Sequence, residues 1–229
     1  MGKLILIRHG QSLWNLANIF TGWTDVNLAP QGLKEAEKAG LTLKKKNLSV
    51  DICFSSFLKR AIRTNWIILD KADSMHIDCL HSWKLNERHY GTWQGRNKVE
   101  VMNEVGEDNY WKIRRGYDNP PPVLNYDDLR HPRFDLKYHK IDPTLLPVGE
   151  SLKDTRKRAV ECFYESIAPQ LVQDKTILVT AHGNSLRALM AHIQNIDANE
   201  IPKITVPTGV PYIFEFDDNL NLLASDILN

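Results

Sequence analysis

Cysteine is scarce in this chain of 229 residues, and its few cysteines are spread in a way that excludes several classes of protein. Only three are present, Cys53, Cys79 and Cys162, far apart and odd in number. This spacing matches neither a zinc site nor the disulfide framework of a small secreted domain. We therefore interpret them as reduced thiols of a cytoplasmic protein.

Net charge and long apolar runs are missing as well. Lysine and arginine total 29 against 28 acidic residues, a formal net charge of +1, so the bulk charge indicates no nucleic-acid or membrane partner. The first apolar run, Lys3–Ile7, is shorter than a signal-peptide core of about 7–15 residues, and no run approaches the ~20 residues of a membrane span. The glycine-rich phosphate loops typical of nucleotide-binding proteins are also absent.

What the chain does have is an alternation of strand-like and helix-like segments. Hydrophobic residues make up 42%, enough for a sizeable core. Apolar, β-branched runs predict strands at Lys3–Ile7, Asp51–Phe54, His76–Leu80, Thr176–Thr180 and Pro211–Phe216. Strands that alternate with helices indicate an α/β sandwich with a largely parallel sheet.

Helices are predicted where apolar residues recur at spacings of three and four. They cover about Pro30–Asn47, a stretch capped by Ser55 or Ser56 that ends near Leu69, a stretch that begins at Ser151, and about Asn184–Asn195. Ser151 and Asp154 form a capping-box pattern, and Pro169 should bend or end the helix that follows them.

Residues 91–149 break this alternation. They contain Pro120, Pro121 and Pro122, much polar sequence and one predicted short helix, Asn109–Arg115. A stretch this long without regular structure is usually a functional insertion or disordered. We interpret residues 1–229 as a single domain, with an inserted subdomain at about 91–149 over the rim of the sheet.

Two His-Gly pairs follow predicted strands at their carboxyl ends. Arg8, His9 and Gly10 come directly after the first strand, and His182 and Gly183 follow a later one. Ligands of open α/β sheets bind outside the carboxyl ends of strands, glycine lets the backbone approach a ligand closely, and helix N-termini bind anions. A lone histidine at a strand end is usually structural, but two in matching settings favour a shared site.

Three further groups have both a structural and a functional interpretation. Arg60 lies in the first turns of a helix, where the macrodipole disfavours a cation; it is either an exposed cation or a side chain aimed at a bound anion. Glu87, in LNERHYG, belongs either to an exposed turn or to a site where it moves protons. Arg114 and Arg115 close a predicted helix, where cations complement the dipole, so the residues alone favour a structural role.

Two imidazoles, Arg8, Arg60 and a helix N-terminus suit a phosphoryl group. Guanidinium groups match phosphate oxygens bidentately. An imidazole without a thiol or hydroxyl nucleophile beside it is itself able to accept the phosphoryl group, and fixed cations stabilise the charge on its oxygens during transfer. We therefore predict phosphoryl transfer without a metal ion, with a carboxyl group handling the proton on the alcohol oxygen.

Longer stretches of the chain resemble a known family. RHGQSLWN, LNERHYGTWQGRNK, RRGYDNPPP and AHGNSLRAL are similar to the histidine phosphatase superfamily and, within it, to the 2,3-bisphosphoglycerate-dependent phosphoglycerate mutases. The resemblance spans nearly the whole chain. It implies a three-layer sandwich, in which helices cover both faces of a mostly parallel six-stranded sheet. The implied activity is the interconversion of 3-phosphoglycerate and 2-phosphoglycerate in glycolysis and gluconeogenesis, through a phosphohistidine and a bisphosphorylated intermediate.

The same resemblance assigns roles to individual residues. It implies that His9 is the phosphorylated nucleophile, that Glu87 donates and accepts the proton, and that the transferring group is surrounded by Arg8, Arg60 and His182. It also implies ligand contacts for Asn15, Thr21, Gly22, Arg88, His89, Tyr90, Lys98, Arg114, Arg115, Gly183 and Asn184. The implied cofactor is 2,3-bisphosphoglycerate as primer, with no metal. A homodimer or homotetramer is the expected assembly.

Departures from the family pattern are few. Gln11 stands where many members have glutamate, and Trp93 replaces a small aliphatic residue. The sequence ends at Asn229 without the lysine- and alanine-rich tail that is thought to help cover the site in longer members. We therefore expect the Pro120–Pro122 segment to do most of the covering.

Two other functions remain open. A phosphomonoester phosphatase of the same superfamily would share His9 and the cations around it, but it would not need the second anion site formed by Lys98, Arg114 and Arg115. A catalytically silent phosphate sensor is disfavoured, because His9, His182 and Glu87 are all intact.

Overall fold

The computed structural model describes residues 1–228, and six strands in that part of the chain form one sheet. They are β1 (Gly2–Arg8), β2 (Ile52–Ser55), β3 (Asp78–His81), β4 (Thr176–Ala181), β5 (Pro211–Phe216) and β6 (Leu222–Ile227). Their order is β3-β2-β4-β1-β5-β6; the first four pair in parallel, and β5 and β6 join antiparallel. The mostly parallel sheet is confirmed. Strand β6 was not predicted, because its residues are mostly exposed and lack an apolar alternation.

Parallel pairing of β1 with β4 places the two His-Gly pairs side by side. The register joins Arg8 to Ala181, so His9 and His182 leave adjacent strands at the same level. The His9 N–H donates to Ala181 O at 3.0 Å, which extends the ladder by one residue. Both strands are aliphatic and largely buried, as strands in the middle of a parallel sheet are.

Helices cover both faces of the sheet. They are α1 (Leu13–Leu16), α2 (Pro30–Lys45), α3 (Lys59–Lys71), α4 (Lys98–Val105), α5 (Glu107–Arg115), α6 (Leu152–Cys162), α7 (Ala168–Leu171) and α8 (Gly183–Ile193). Successive strand residues point to opposite faces: Leu4 and Leu6 pack with α6 and α8, whereas Ile5 and Ile7 pack with α2 and α3. The three-layer sandwich is therefore confirmed. Within residues 1–228, every helix is too short or too polar to cross a bilayer.

Helix α3 begins later than predicted, and a distant side chain satisfies its N-terminus. The helix starts at Lys59, so neither Ser55 nor Ser56 caps it. The Lys59 N–H donates to Asp25 Oδ1 at 2.8 Å, while Ser56 Oγ accepts from Leu58 N at 3.1 Å. The cap prediction was wrong because the acceptor comes from a loop remote in sequence.

The capping box at the start of α6 is confirmed. Ser151 Oγ accepts from Asp154 N at 3.1 Å, and Asp154 Oδ2 accepts from Ser151 N at 2.9 Å. Pro169 does not end the helical path, which widens into a π-helical turn at Phe163–Ile167 and continues as α7. Proline has no N–H to donate and its ring crowds the preceding turn, so a wider turn before it relieves the conflict.

The inserted residues 91–149 form two helices and several short 3₁₀ turns. The predicted helix Asn109–Arg115 lies within α5, whereas α4 was not predicted. Phe20, Trp93, Val101 and Tyr110 form a buried cluster that joins α4 and α5 to the loop after α1. We call residues 98–115 the cover, since they lie over the carboxyl-end rim of the sheet.

Replacing Trp93 with alanine should destabilise the fold strongly. Trp93 is 1% exposed, and its ring centroid lies 5.2 Å from that of Phe20. Truncation of a buried aromatic residue costs about 3–5 kcal/mol. Trp66, which is 53% exposed on α3, provides the control, and Trp66→Ala should change the free energy of unfolding by only about 0.5 kcal/mol. Urea unfolding measures both, and equal losses would contradict an anchoring role for Trp93.

Candidate active site

A polar cleft of about 690 Å³, including the solvent at its mouth, lies at the carboxyl ends of β1 and β4. Most of the predicted site residues line it: Arg8, His9, Asn15, Thr21, Gly22, Arg60, Glu87, Tyr90, Lys98, Arg114, Arg115, Gly183 and Asn184. Ile19, Phe20 and Arg187 line it too, although the sequence had not pointed to them. The sheet and the cover thus build one cleft together.

His9 is held as a neutral imidazole with one free nitrogen. It is 2% exposed, and its Nδ1 lies 2.6 Å from Gly10 O. A carbonyl oxygen only accepts hydrogen bonds, so Nδ1 carries the proton and Nε2 keeps its lone pair. Burial, then the positive charges of Arg60 and Arg8, hold the pKa of His9 well below its ordinary value. These are the properties of a nitrogen nucleophile.

His182 packs edge-on against His9, with 4.9 Å between the ring centroids. Its Nε2 shares a hydrogen bond of 2.7 Å with Ser56 Oγ. Its Nδ1 is buried and has no partner within residues 1–228, a condition that costs free energy unless a ligand supplies one. Burial, followed by the charge of Arg60, lowers the pKa of His182 as well.

Of the two arginines beside the histidines, Arg60 is buried and Arg8 is half-buried. Arg60 is 1% exposed and donates to Gly22 O at 2.8 Å and Thr24 O at 3.0 Å. This excludes the alternative that Arg60 is an exposed cation. Arg8 donates to Val206 O at 2.9 Å, and its Nε is buried without a partner in residues 1–228. Both guanidinium groups are therefore held rigidly by backbone carbonyls.

A second group of cations enters from the cover. Lys98 begins α4, and Arg114 and Arg115 end α5. Burial, then the charges of Arg114 and Arg8, lower the pKa of Lys98 to about 8. Glu87 is the only carboxylate that lines the cleft, and within residues 1–228 none of these cations forms an ion pair. The cleft is therefore suited to a ligand with several negative charges.

Glu87 holds one carboxylate oxygen in place and leaves the other open. Its Oε1 accepts from Arg88 N at 2.8 Å, Asn184 N at 3.1 Å and Asn184 Nδ2 at 2.8 Å. Its Oε2 makes no hydrogen bond within residues 1–228 and lies near Gly183. Asn184 Nδ2 also donates to Tyr90 OH at 3.1 Å. The geometry leaves Oε2 available for proton transfer.

A buried ion pair that no sequence pattern indicated positions the loop that carries Glu87. Arg158 Nε donates to Glu150 Oε1 at 2.6 Å, and Arg158 Nη2 donates to Glu150 Oε2 at 2.8 Å. The remaining Arg158 donors bind the carbonyls of Lys84, Asn86 and Glu87 at 2.8 to 2.9 Å. All five N–H groups are thereby used. We call this pair the Glu150–Arg158 clamp.

Two predicted ligand contacts lie behind the cleft instead of lining it. Arg88 is fully buried and donates to Ile113 O at 3.2 Å and Arg114 O at 3.0 Å, so it secures the end of α5. His89 is also buried, and its Nδ1 accepts from Gly91 N at 3.1 Å. Burial, then the charge of Arg158, lowers the pKa of His89 to about 3. Direct contacts of both residues with a ligand stay predictions.

The lining of the cleft differs from the sequence predictions at the Pro120–Pro122 segment and at Arg187. The Pro120–Pro122 segment is not among the residues that line the cleft, and Pro122 O accepts from Thr92 N at 2.8 Å. Lys98, Arg114 and Arg115 of the cover line the cleft instead. Arg187 was missed although a signal existed: it follows Asn184 by three residues and Gly183 by four, the spacing that places side chains on one face of a helix.

Comparison with known proteins defines the class. A family model described as "Histidine phosphatase superfamily (branch 1)" matches residues 4–131 and 125–225. The chain belongs to this superfamily. A solved structure of the alpha-ribazole phosphatase from Shigella flexneri has the same fold, with a TM-score of 0.73 at 21% identity, covering 99% of this chain and 96% of that one.

Curated relatives are much more similar in sequence. The 2,3-bisphosphoglycerate-dependent phosphoglycerate mutase of Nautilia profundicola is 52% identical over 222 residues, which are 97% of each chain. The protein of the same name from Treponema denticola is 48% identical over 226 residues, 99% of this chain and 92% of that one. The resemblance noted in the sequence is therefore confirmed.

The buried neutral histidines predict a loss of stability in mild acid. Folding lowers the pKa values of His9, His182 and His89, so near and below pH 6.5 the unfolded chain binds protons that the folded one does not. Stability is thus fully present above pH 6.5 and decreases as the pH falls, by about 1.4 kcal/mol per pH unit for each proton. Urea unfolding at pH 7, 6 and 5 measures this slope. His89→Gln should reduce it by about that amount, and an unchanged slope would contradict the interpretation.

Proposed function

We propose that this chain interconverts 3-phosphoglycerate and 2-phosphoglycerate, with 2,3-bisphosphoglycerate as primer. The observation that carries the proposal is the presence of two groups of unpaired cations in one cleft. Arg8 and Arg60 lie at the His9 end, and Lys98, Arg114 and Arg115 enter from the cover. A ligand with two anionic ends matches this arrangement. The names of the relatives at 52% and 48% identity support the same activity.

The residues present fit a bisphosphorylated primer. Arg8 Nε, Thr21 Oγ1 and His182 Nδ1 are buried at or beside the cleft without a partner in residues 1–228. Phosphate oxygens would satisfy these donors. Arg8, Arg60 and His182 would hold one phosphate, and Lys98, Arg114 and Arg115 the other. When bound, the primer supplies the phosphoryl group that loads His9.

Phosphoryl transfer begins at His9 Nε2. This nitrogen attacks the phosphorus in line, a P–N bond forms, and the P–O bond to the alcohol oxygen breaks. Arg8 and Arg60 donate to the equatorial oxygens, where negative charge gathers. Glu87 Oε2 gives the leaving oxygen its proton.

The return step uses the same groups in reverse. Glu87 takes the proton from the free hydroxyl of a phosphoglycerate, whose oxygen attacks the phosphorus on His9. The P–N bond breaks, and a bisphosphorylated species results. Return of its other phosphoryl group to His9 releases the isomer. The cations of the cover hold the end that does not react, so that either end of the ligand is able to face His9.

A phosphatase of the same superfamily is the alternative function. It follows from the same chemistry whenever water replaces the substrate hydroxyl at phospho-His9. The cover favours the mutase, because Lys98, Arg114 and Arg115 line the cleft yet are not needed to hydrolyse a simple monoester. Since the cover and the sheet contribute to one cleft, the arrangement also supports the assignment of a single domain.

Two rates measured on the purified protein test the proposal. With primer present, interconversion of the phosphoglycerates should exceed release of inorganic phosphate by several orders of magnitude, because the closed site keeps water from the phosphohistidine. His9→Ala should abolish both reactions and the acid-labile, base-stable phosphate that the primer leaves on the protein. Comparable rates of interconversion and release would make the chain a phosphatase.

Replacing Glu87 with glutamine should slow turnover while the protein stays folded. Glutamine keeps the shape of the glutamate side chain and an oxygen that accepts from Asn184, but its amide has no acidic proton to give to the alcohol oxygen. General acid–base catalysis contributes about 10²–10⁴-fold, and kcat should fall within that range. Glu107→Gln, at the exposed start of α5, is the control. A Glu87 variant with near-normal kcat would remove Glu87 from the mechanism.

A further inference from the structure

Arg187 is a buried cation of the cleft with spare hydrogen-bonding capacity. It lies on α8, is 8% exposed and lines the cleft beside Asn184. Its Nε donates to Ile204 O at 2.8 Å, and its Nη1 donates to Asn184 Oδ1 at 2.7 Å. Within residues 1–228, its Nη2 makes no hydrogen bond and no carboxylate pairs with it.

The Glu150–Arg158 clamp shows what a structural buried arginine looks like in the same molecule. Arg158 is 5% exposed, saturates its five N–H groups and pairs with a carboxylate. Arg187 is almost as buried but has neither property. Burial, then the charge of Arg115, lowers the pKa of Arg187 to about 10, and the smaller opposing effects come from Tyr90 and Glu87. It therefore stays charged at neutral pH, without a counter-ion in the described part of the chain.

We propose that Arg187 is a substrate-binding residue that holds, together with Arg115, the anionic end of the phosphoglycerate that is not transferred. This assignment rests on the proposed function. Two guanidinium groups that line the same cleft leave several N–H donors for a carboxylate or phosphate, whose charge offsets their mutual repulsion.

The same side chain also orients the partner of the proton donor. Arginine only donates hydrogen bonds, so the contact with Nη1 identifies the Asn184 amide oxygen. The Asn184 Nδ2 group must then face Glu87 Oε1 and Tyr90 OH, as it does at 2.8 Å and 3.1 Å. A ligand that binds Arg187 therefore lies beside the Asn184 side chain, which hydrogen-bonds Glu87.

Binding of two ligands to unphosphorylated protein tests the assignment. Calorimetry with 3-phosphoglycerate and with inorganic phosphate compares wild type, Arg187→Met, Arg187→Lys and the control Arg63→Met, which removes an exposed arginine of α3. Arg187→Met should weaken 3-phosphoglycerate about 10-fold or more, the usual effect of losing a charge-assisted contact. Inorganic phosphate, held at the His9 end, should change less than about 2-fold. Arg187→Lys should recover part of the loss, and Arg63→Met should match wild type.

The outcomes separate this assignment from the proposed function. Wild-type protein that binds no 3-phosphoglycerate would overturn both. If Arg187→Met binds 3-phosphoglycerate with the wild-type affinity, only the role of Arg187 is overturned. The same conclusion follows if Arg187→Met loses equal affinity for 3-phosphoglycerate and for inorganic phosphate, because that result indicates a general disturbance of the cleft. Thermal unfolding checks that the methionine variant is folded. If it is not folded, Arg187→Lys decides the question. Lysine keeps the charge but lacks the paired N–H groups of the guanidinium, so this variant should lose more affinity for 3-phosphoglycerate than for inorganic phosphate.

Discussion

The parallel pairing of β1 with β4 is the constraint on which the site depends. Side chains alternate between the two faces of the sheet, so a slip of one residue would move every core residue of β1 to the wrong layer. The apolar core therefore fixes the register that joins Arg8 to Ala181. That register in turn sets His9 against His182 at 4.9 Å. Packing free energy in the core thus determines how the two imidazoles face each other.

One electrostatic field serves two purposes in the cleft. Burial and the nearby arginines hold the pKa of His9 down, which keeps the imidazole neutral and nucleophilic. In the proposed reaction, the same positive charges attract a phosphorylated ligand and offset its charge during transfer. These cations lie close together without carboxylate partners, which is unfavourable for the free protein. Binding of an anionic ligand would therefore stabilise the fold.

Local patterns in the sequence were sufficient where neighbours in the chain decide the structure. The strand Pro211–Phe216 and the capping box at Ser151 were predicted correctly for this reason. Contacts between remote segments were not predictable in the same way: Asp25 replaces the expected serine cap of α3, and the Glu150–Arg158 clamp leaves no periodic signature. His9 and His182 came from their positions at strand ends, whereas ligand contacts such as Arg88 came from motif resemblance, which does not show that Arg88 lies behind the cleft.

The Glu150–Arg158 clamp has a consequence for how the protein is able to vary. Its arginine binds the carbonyls of Lys84, Asn86 and Glu87, and every amino acid has such a carbonyl. The loop is therefore held by its peptide groups, whatever side chain stands at position 84. Selection on the placement of Glu87 then acts on a helix about seventy residues downstream as well as on the loop itself.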